Sequence, residues 1–164
     1  GFQAPNEGCV FASCVSHGNG RQRYGFNVAN KTTVYNCIAT NHATRGFSFG
    51  FGTSAMYEFG GAAANAAYSN TSANFFQLPP MATGNYNLTA DPFENSAALN
   101  FALNNTAGGG AAIKQSGFPG RIIGTNSIGY YDIGAIQSQP PTSEPGGGGN
   151  SLTFITDFNG GFNG

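Results

Sequence analysis

The 164-residue sequence predicts an all-β chain wound as a solenoid of short parallel strands, on three observations. First, residues 32–47, TTVYNCIATNHATRGF, place Val34, Asn36-Cys37, Ala39, Asn41 and Gly46-Phe47 in two short alternating runs. Bends are expected at Tyr35-Asn36 and over residues 41–45. Second, this frame recurs. Ser13-Cys14-Val15-Ser16 matches Asn36-Cys37-Ile38-Ala39 at an offset of 23 (37 − 14), and Gly25-Phe26 matches Gly46-Phe47 at 21 (47 − 26). Asn65 to Asn70 keeps the frame of Asn36 to Asn41 at an offset of 29 (65 − 36), which implies an insertion. Third, only 8% of residues are charged, against about 25% in an ordinary soluble domain, while 40% are hydrophobic and 13% aromatic. That composition excludes a disordered chain, which lacks apolar residues to bury, and describes an ordered β protein with a polar, uncharged surface.

Repeats of about 20–30 residues that contain strands and no helix bury their apolar faces only by stacking. Stacked strands lie about 4.8 Å apart. Cys14 and Cys37 would therefore form an interior ladder, and Asn36 and Asn65 would share side-chain hydrogen bonds at a corner.

In chain order, residues 1–8 contain Pro5 and no periodicity and read as a leading segment across one end of the stack. The rungs follow, with turns at Gly18-Asn19-Gly20 and Ala29-Asn30-Lys31. Residues 48–59, SFGFGTSAMYEF, alternate aromatic and small side chains as a strand plus a lateral loop. The Ala-rich residues 60–67 suggest a short helical turn. Leu78-Pro79-Pro80 closes the rungs, because proline cannot donate to an interior ladder. A second apolar set follows at Asp91-Pro92-Phe93, Phe101-Ala102-Leu103, Gly117-Phe118 and residues 131–137, interrupted by Gly108-Gly109-Gly110.

That closing pattern resembles extracellular right-handed parallel β-helix proteins of the pectate-lyase-like superfamily. Many of them finish with an Asp-Pro-x-Phe segment, a Phe-x-Leu strand, a Gly- and Ala-rich stretch and a terminal Asp-Ile-Gly-Ala-x-Gln strand. The corresponding residues are Asp91-Pro92-Phe93, Phe101-Ala102-Leu103, residues 107–117 and residues 132–137. The likeness covers residues 9–137 and implies a right-handed parallel β-helix, export from the cell and an association with polysaccharide. It does not imply catalysis.

The chain thus divides into a β-helix domain over 1–137, a Pro/Gly linker over 138–150 (SQPPTSEPGGGG at its core) and a C-terminal strand tail over 151–164. In SLTFITDF, Leu152, Phe154, Thr156 and Phe158 alternate with Ser151, Thr153, Ile155 and Asp157, which is a strand signal. A strand on a tether would expose apolar side chains and unpaired backbone groups, so Leu152, Phe154, Ile155 and Phe158 are expected to pair with a neighbouring subunit.

Net charge is −1, and no basic run exceeds Arg21-Gln22-Arg23, which argues against nucleic acid. No apolar run approaches the roughly 18 residues of a membrane span. No charged-then-apolar leader precedes Gly1 and there is no initiator Met, which reads as a processed product or a fragment, the processed reading fitting an exported protein. From residue 8 to 51 the ionised groups are Arg21, Arg23, Lys31 and Arg45, all positive. From Glu58 onward, Glu58, Asp91, Glu94, Asp132, Glu144 and Asp157 outweigh Lys114 and Arg121, so the two ends are expected to carry opposite sign.

The three cysteines show no CxxC spacing, which argues against zinc. They read as small buried hydrophobes; the other reading bridges Cys14 to Cys37 and leaves Cys9 over. Polysaccharide cleavage needs clustered carboxylates for calcium, or two carboxyls about 5–9.5 Å apart. Between residues 8 and 57 there is no Asp or Glu. Asp91, beside Glu94, reads as a turn cap before Pro92. His17 and His42 read as surface or turn residues, since their spacing does not match the rung offset. No catalytic residue, cofactor or metal ligand is assigned. Sequons at Asn30, Asn70, Asn87 and Asn104 are candidate glycosylation sites. Tyr24, Tyr57, Tyr68, Tyr86, Tyr130 and Tyr131 read as packing residues before they read as a sugar-stacking strip.

The expected function is a non-enzymatic structural subunit of an extracellular filament or surface appendage, a homopolymer built head to tail with strand addition from the C-terminus. The alternative is a polysaccharide-binding or lyase-like β-helix module.

Overall fold

The computed structural model describes residues 1–4, 8–28, 31–50, 61–79, 82–117 and 132–136. The expected linker 138–150 and strand tail 151–164 lie outside the described residues, as does the expected lateral loop at 51–59.

The described chain is all-β with parallel sheets. Thirteen short strands are β1 (Phe2–Ala4), β2 (Val10–Ala12), β3 (Val15–His17), β4 (Tyr24–Val28), β5 (Thr33–Tyr35), β6 (Ile38–Thr40) and β7 (Arg45–Phe49), then β8 (Gly61–Ala63), β9 (Ala66–Tyr68), β10 (Ala73–Phe76), β11 (Tyr86–Asn87), β12 (Phe93–Asn95) and β13 (Asn100–Leu103). Three parallel sheets have the orders β1-β4-β7-β10, β2-β5-β8 and β3-β6-β9-β11. The chain visits the sheets in turn and returns to each one strand further on, so β2-β3-β4, β5-β6-β7 and β8-β9-β10 are successive circuits.

Strand pairing joins Val15 to Ile38 and Phe26 to Phe47, the same partners that the repeated sequence frame aligned. For the third circuit the pairing is Ile38 to Ala66, an offset of 28 (66 − 38), so Asn65 stands beside Cys37 and not beside Asn36. The Ala-rich segment is not a helical turn: Gly61–Ala63 and Ala66–Tyr68 are strands β8 and β9. Small side chains are what the interior accepts opposite Val34 and Ala39, and the ladder outweighs alanine's helical preference. Nor do the rungs stop at Pro79. Thr83 bridges Ala63, and β11 pairs with β9 through Tyr86 and Ala66.

The tight corners use left-handed backbone. Ser13, Asn36 and Ala64 have φ of 51°, 54° and 51° in successive circuits, each just after a strand of the β2-β5-β8 sheet. Adjacent strands can then meet at an angle with only two residues between them.

Two apolar clusters result. The interior one contains Phe26, Val28, Val34, Cys37, Ala39, Phe47, Ala62 and Ala67. At its centre Phe2, Phe26, Phe47 and Phe75 form a column, with ring centroids 4.9, 4.8 and 5.1 Å apart and planes within 10° of parallel. The glycine before Phe26 and Phe47 has a steric cause. A Cβ on Gly25 would lie 2.5 Å from the Gly46 carbonyl oxygen, and one on Gly46 would lie 2.8 Å from that of Asn74.

The second cluster lies outside the β3-β6-β9-β11 sheet. Outward-facing Ile38 and Ala66 meet Leu88, Phe93, Leu103, Ile113 and Ile133, with Val15, Tyr68 and Phe101 at its margin. The antiparallel β12-β13 pair and the short 3-10 turns Ser96–Ala98 and Gly110–Ala112 carry this lateral cap. Residues 133–136 form bends, and residues 132–136 carry none of the terminal strand that the resemblance implied; the Gly134 N–H donates to the Asn36 carbonyl at 2.9 Å.

Candidate functional site

The N-terminal end of the stack, formed by β1 and the first two strands of the first circuit, leaves three strand edges open. Strands β1, β2 and β3 are each the outermost member of their sheet, and among the described residues no strand pairs with their outer sides. Parallel strands use both edges to satisfy backbone N–H and C=O groups, so three open edges side by side are a template for further strand pairing. The apolar interior also runs out to this end, where Phe2, Cys9, Phe11 and Cys14 are only partly buried against the core. The Phe2 and Phe11 rings lie 5.6 Å apart, and Val10 beside them is 63% exposed.

Behind that edge, polar side chains tie one circuit to the next by a repeated geometry. Asn65 is fully buried, and its Oδ1 accepts from Cys37 N at 3.0 Å while its Nδ2 donates to Val34 O at 2.9 Å. Asn85 repeats this one step on, accepting from Asn65 N at 3.1 Å and donating to Ala62 O at 3.1 Å. At the next corner Asn70 accepts from His42 N at 3.0 Å and donates to Ala39 O at 3.1 Å. Each asparagine completes two backbone groups that a sharp corner leaves without a strand partner.

Cys37 and His42 take the asparagine's place in the second circuit. Cys37 Sγ accepts from Cys14 N at 3.4 Å and contacts Phe11 O at 3.6 Å. His42 Nε2 meets Ser16 O at 3.1 Å, so that nitrogen carries the proton. The expected ladder residues are therefore adjacent in the order Cys14, Cys37, Asn65, with Asn85 next. Asn36 is buried at the preceding corner position, in line with Ser13 and Ala64.

His42 does lie in the turn between β6 and β7, but it is wholly buried and not a surface residue. Burial lowers its pKa, against the raising effect of the Ser16 carbonyl. His17 is half-buried, with Nδ1 2.8 Å from Thr40 Oγ1 and its ring 5.7 Å from that of Phe101. Asp91 does cap its turn: Oδ1 accepts from Phe93 N at 3.0 Å and Oδ2 from the Ser96 hydroxyl at 2.8 Å. Asp132 is buried and its Oδ1 accepts from Gln115 N at 2.7 Å. Among the described residues no three His, Cys, Asp or Glu side chains form a group able to hold a metal ion, and no helix is long and apolar enough to cross a membrane.

The sequons differ sharply in surroundings. Asn70 is consumed by the ladder, and Asn104 Nδ2 donates to Asp91 O and Phe93 O at 2.8 and 2.9 Å while its Oδ1 accepts from Gly110 N at 3.0 Å. Asn87 is exposed on β11, and Asn30 lies outside the described residues. Among the tyrosines, Tyr68 and Tyr86 pack at the margin of the lateral cluster and Tyr24 lies under the Arg23 guanidinium, 5.4 Å from its ring centre. Tyr57, Tyr130 and Tyr131 lie outside the described residues.

Asp91, Glu94 and Asp132 lie in or beside the segments of the lateral cap that cover the β3-β6-β9 face, while Glu58, Arg121, Glu144 and Asp157 of the expected charge segregation lie outside the described residues. The missed signals are the Asn-for-Cys and Asn-for-His equivalences; they are legible only once register is known, because residue identity alone pairs Asn65 with Asn36. No protein-family model, curated protein or solved structure matches this chain.

Proposed function

We propose that the three-sheet circuits are those of a right-handed parallel β-helix, and that the chain is a structural subunit of an extracellular filament or surface appendage. The observation that carries this reading is the open N-terminal end of the stack, where β1, β2 and β3 all lack an outer partner among the described residues. A neighbouring copy supplies the missing pairing. Head-to-tail contacts of this kind are heterologous and give open polymers when the rotation does not close. Residues 151–158, with Leu152, Phe154, Ile155 and Phe158, are the strand offered for addition to that edge. Because the described carboxylates sit laterally, the contact is made by backbone edges and apolar rings, and association should persist in high salt.

A polysaccharide-binding role has less support, since Tyr68 and Tyr86 take packing positions. The test is sedimentation of the full chain beside a variant lacking residues 150–164 and a Val10→Pro variant. Polymers from the full chain, and folded monomers from both variants, are expected. A monomeric full chain, or polymers that survive both changes, would overturn the proposal.

A further inference from the structure

We propose that Cys14 and Cys37 form an oxidisable pair that closes into a disulfide and staples the first circuit to the second. Both are free thiols in the structure. Each sits two residues after a strand of the same sheet and just before the next, Cys14 between β2 and β3 and Cys37 between β5 and β6. The pairs Ala12–Tyr35 and Val15–Ile38 on either side hold them at equivalent positions of adjacent strands. Neighbouring strands are about 4.8 Å apart, within the 4.4–6.8 Å Cα separation that a disulfide spans. The sulfur of Cys37 already points across the gap, 3.4 Å from Cys14 N.

The two thiols are unequal. Cys14 is partly exposed at the open end, whereas Cys37 is fully buried. A hydrogen bond from Cys37 lowers the Cys14 pKa to about 7, against the opposing effect of burial, while burial raises Cys37 well above its ordinary value. Cys14 is therefore the attacking thiolate and Cys37 the resolving thiol. With a small disulfide such as oxidised glutathione, Cys14 sulfur bonds to one glutathione sulfur and expels the other as thiolate. Cys37 then loses its proton and attacks Cys14 sulfur, forming the Cys14–Cys37 bond and releasing the second glutathione. Two protein thiols are oxidised and one glutathione disulfide is reduced to two thiols.

The closed loop spans 23 residues, for which chain-entropy arguments give a Tm rise on the order of 10 °C. The staple sits beside the open edge, where fraying is least opposed.

The experiment incubates the folded full chain, and a Cys9→Ser variant, with oxidised glutathione below the Tm, then reads intact mass and a peptide map without reductant. Both proteins should lose the mass of two hydrogens, yield a peptide joining Cys14 to Cys37, and gain Tm reversibly with dithiothreitol. A Cys9→Ser protein that keeps its mass, a glutathione adduct that persists on Cys14, or a bridge containing Cys9 would each overturn the proposal. Cys14→Ser and Cys37→Ser variants, checked for folding by circular dichroism, should show no mass loss.

Discussion

The two apolar clusters are built on opposite principles. In the interior, Phe26 stacks on Phe47 and Phe47 on Phe75, each residue meeting a counterpart one circuit away. In the lateral cluster, Ile38 and Ala66 meet Leu88, Phe93, Leu103, Ile113 and Ile133, a set with no repeat among its own members. An interior residue therefore belongs to a column that runs through the molecule. A lateral residue belongs to a single layer laid over one sheet.

Substitutions should separate the two. Phe47→Ala removes the ring that bridges two others and leaves a void flanked by rigid strands, so a loss of about 4–5 kcal/mol is expected from chemical denaturation. Ile133→Ala should cost less, about 2–4 kcal/mol, because a non-repeating cap can partly collapse into the space. Its signature should be local, with faster amide exchange in β12 and β13 and little change in β4 and β7. Equal losses with uniform exchange would remove the distinction between column and cap.

The polar ladder gives the next effect in size. Asn65→Ala leaves Cys37 N–H and Val34 C=O without partners in a buried corner, a loss of about 2–3 kcal/mol. His42→Asn substitutes the residue that Asn70 shows to fit the equivalent site, and its effect should appear in pH dependence. His42 is held below its ordinary pKa by burial, so the unfolded state binds a proton that the folded state refuses. Stability is then fully present above about pH 6.5 and declines as pH falls toward the folded pKa. Denaturation midpoints at about pH 5 and pH 7.5 should differ more in the native protein than in the asparagine variant. The smallest effect is expected at Leu99, which is 72% exposed with φ of 60°. Leu99→Gly should raise stability by about 0.5 kcal/mol, since only the left-handed backbone is relieved.

The same contrast explains what the sequence made legible. Columns repeat, so Cys14 with Cys37 and Phe26 with Phe47 could be aligned by eye, and these alignments are the strand registers. In the third circuit residue identity pairs Asn65 with Asn36, one residue out of step, whereas strand pairing and hydrogen bonding place it beside Cys37. Alanine in residues 60–67 suggests a short helical turn, because local preference knows nothing of the strands above and below. The lateral cap has no period, so Phe93 and Ile133 were readable as apolar residues but not as partners of Ile38. His42 reads as a turn residue, which it is, but nothing in its sequence neighbours shows that it is buried with Ser16 O 3.1 Å away.

Register also survives a change in spacing. Successive circuits are separated by 23 residues at His17 and Thr40 and by 28 (66 − 38) at Ile38 and Ala66, yet pairing across all three sheets stays in step. Length is therefore absorbed between β7 and β8 while the stacked columns keep count. A foreign peptide grafted there would be carried at a fixed height on the shaft, and if subunits join end on end, it would be displayed at a regular pitch.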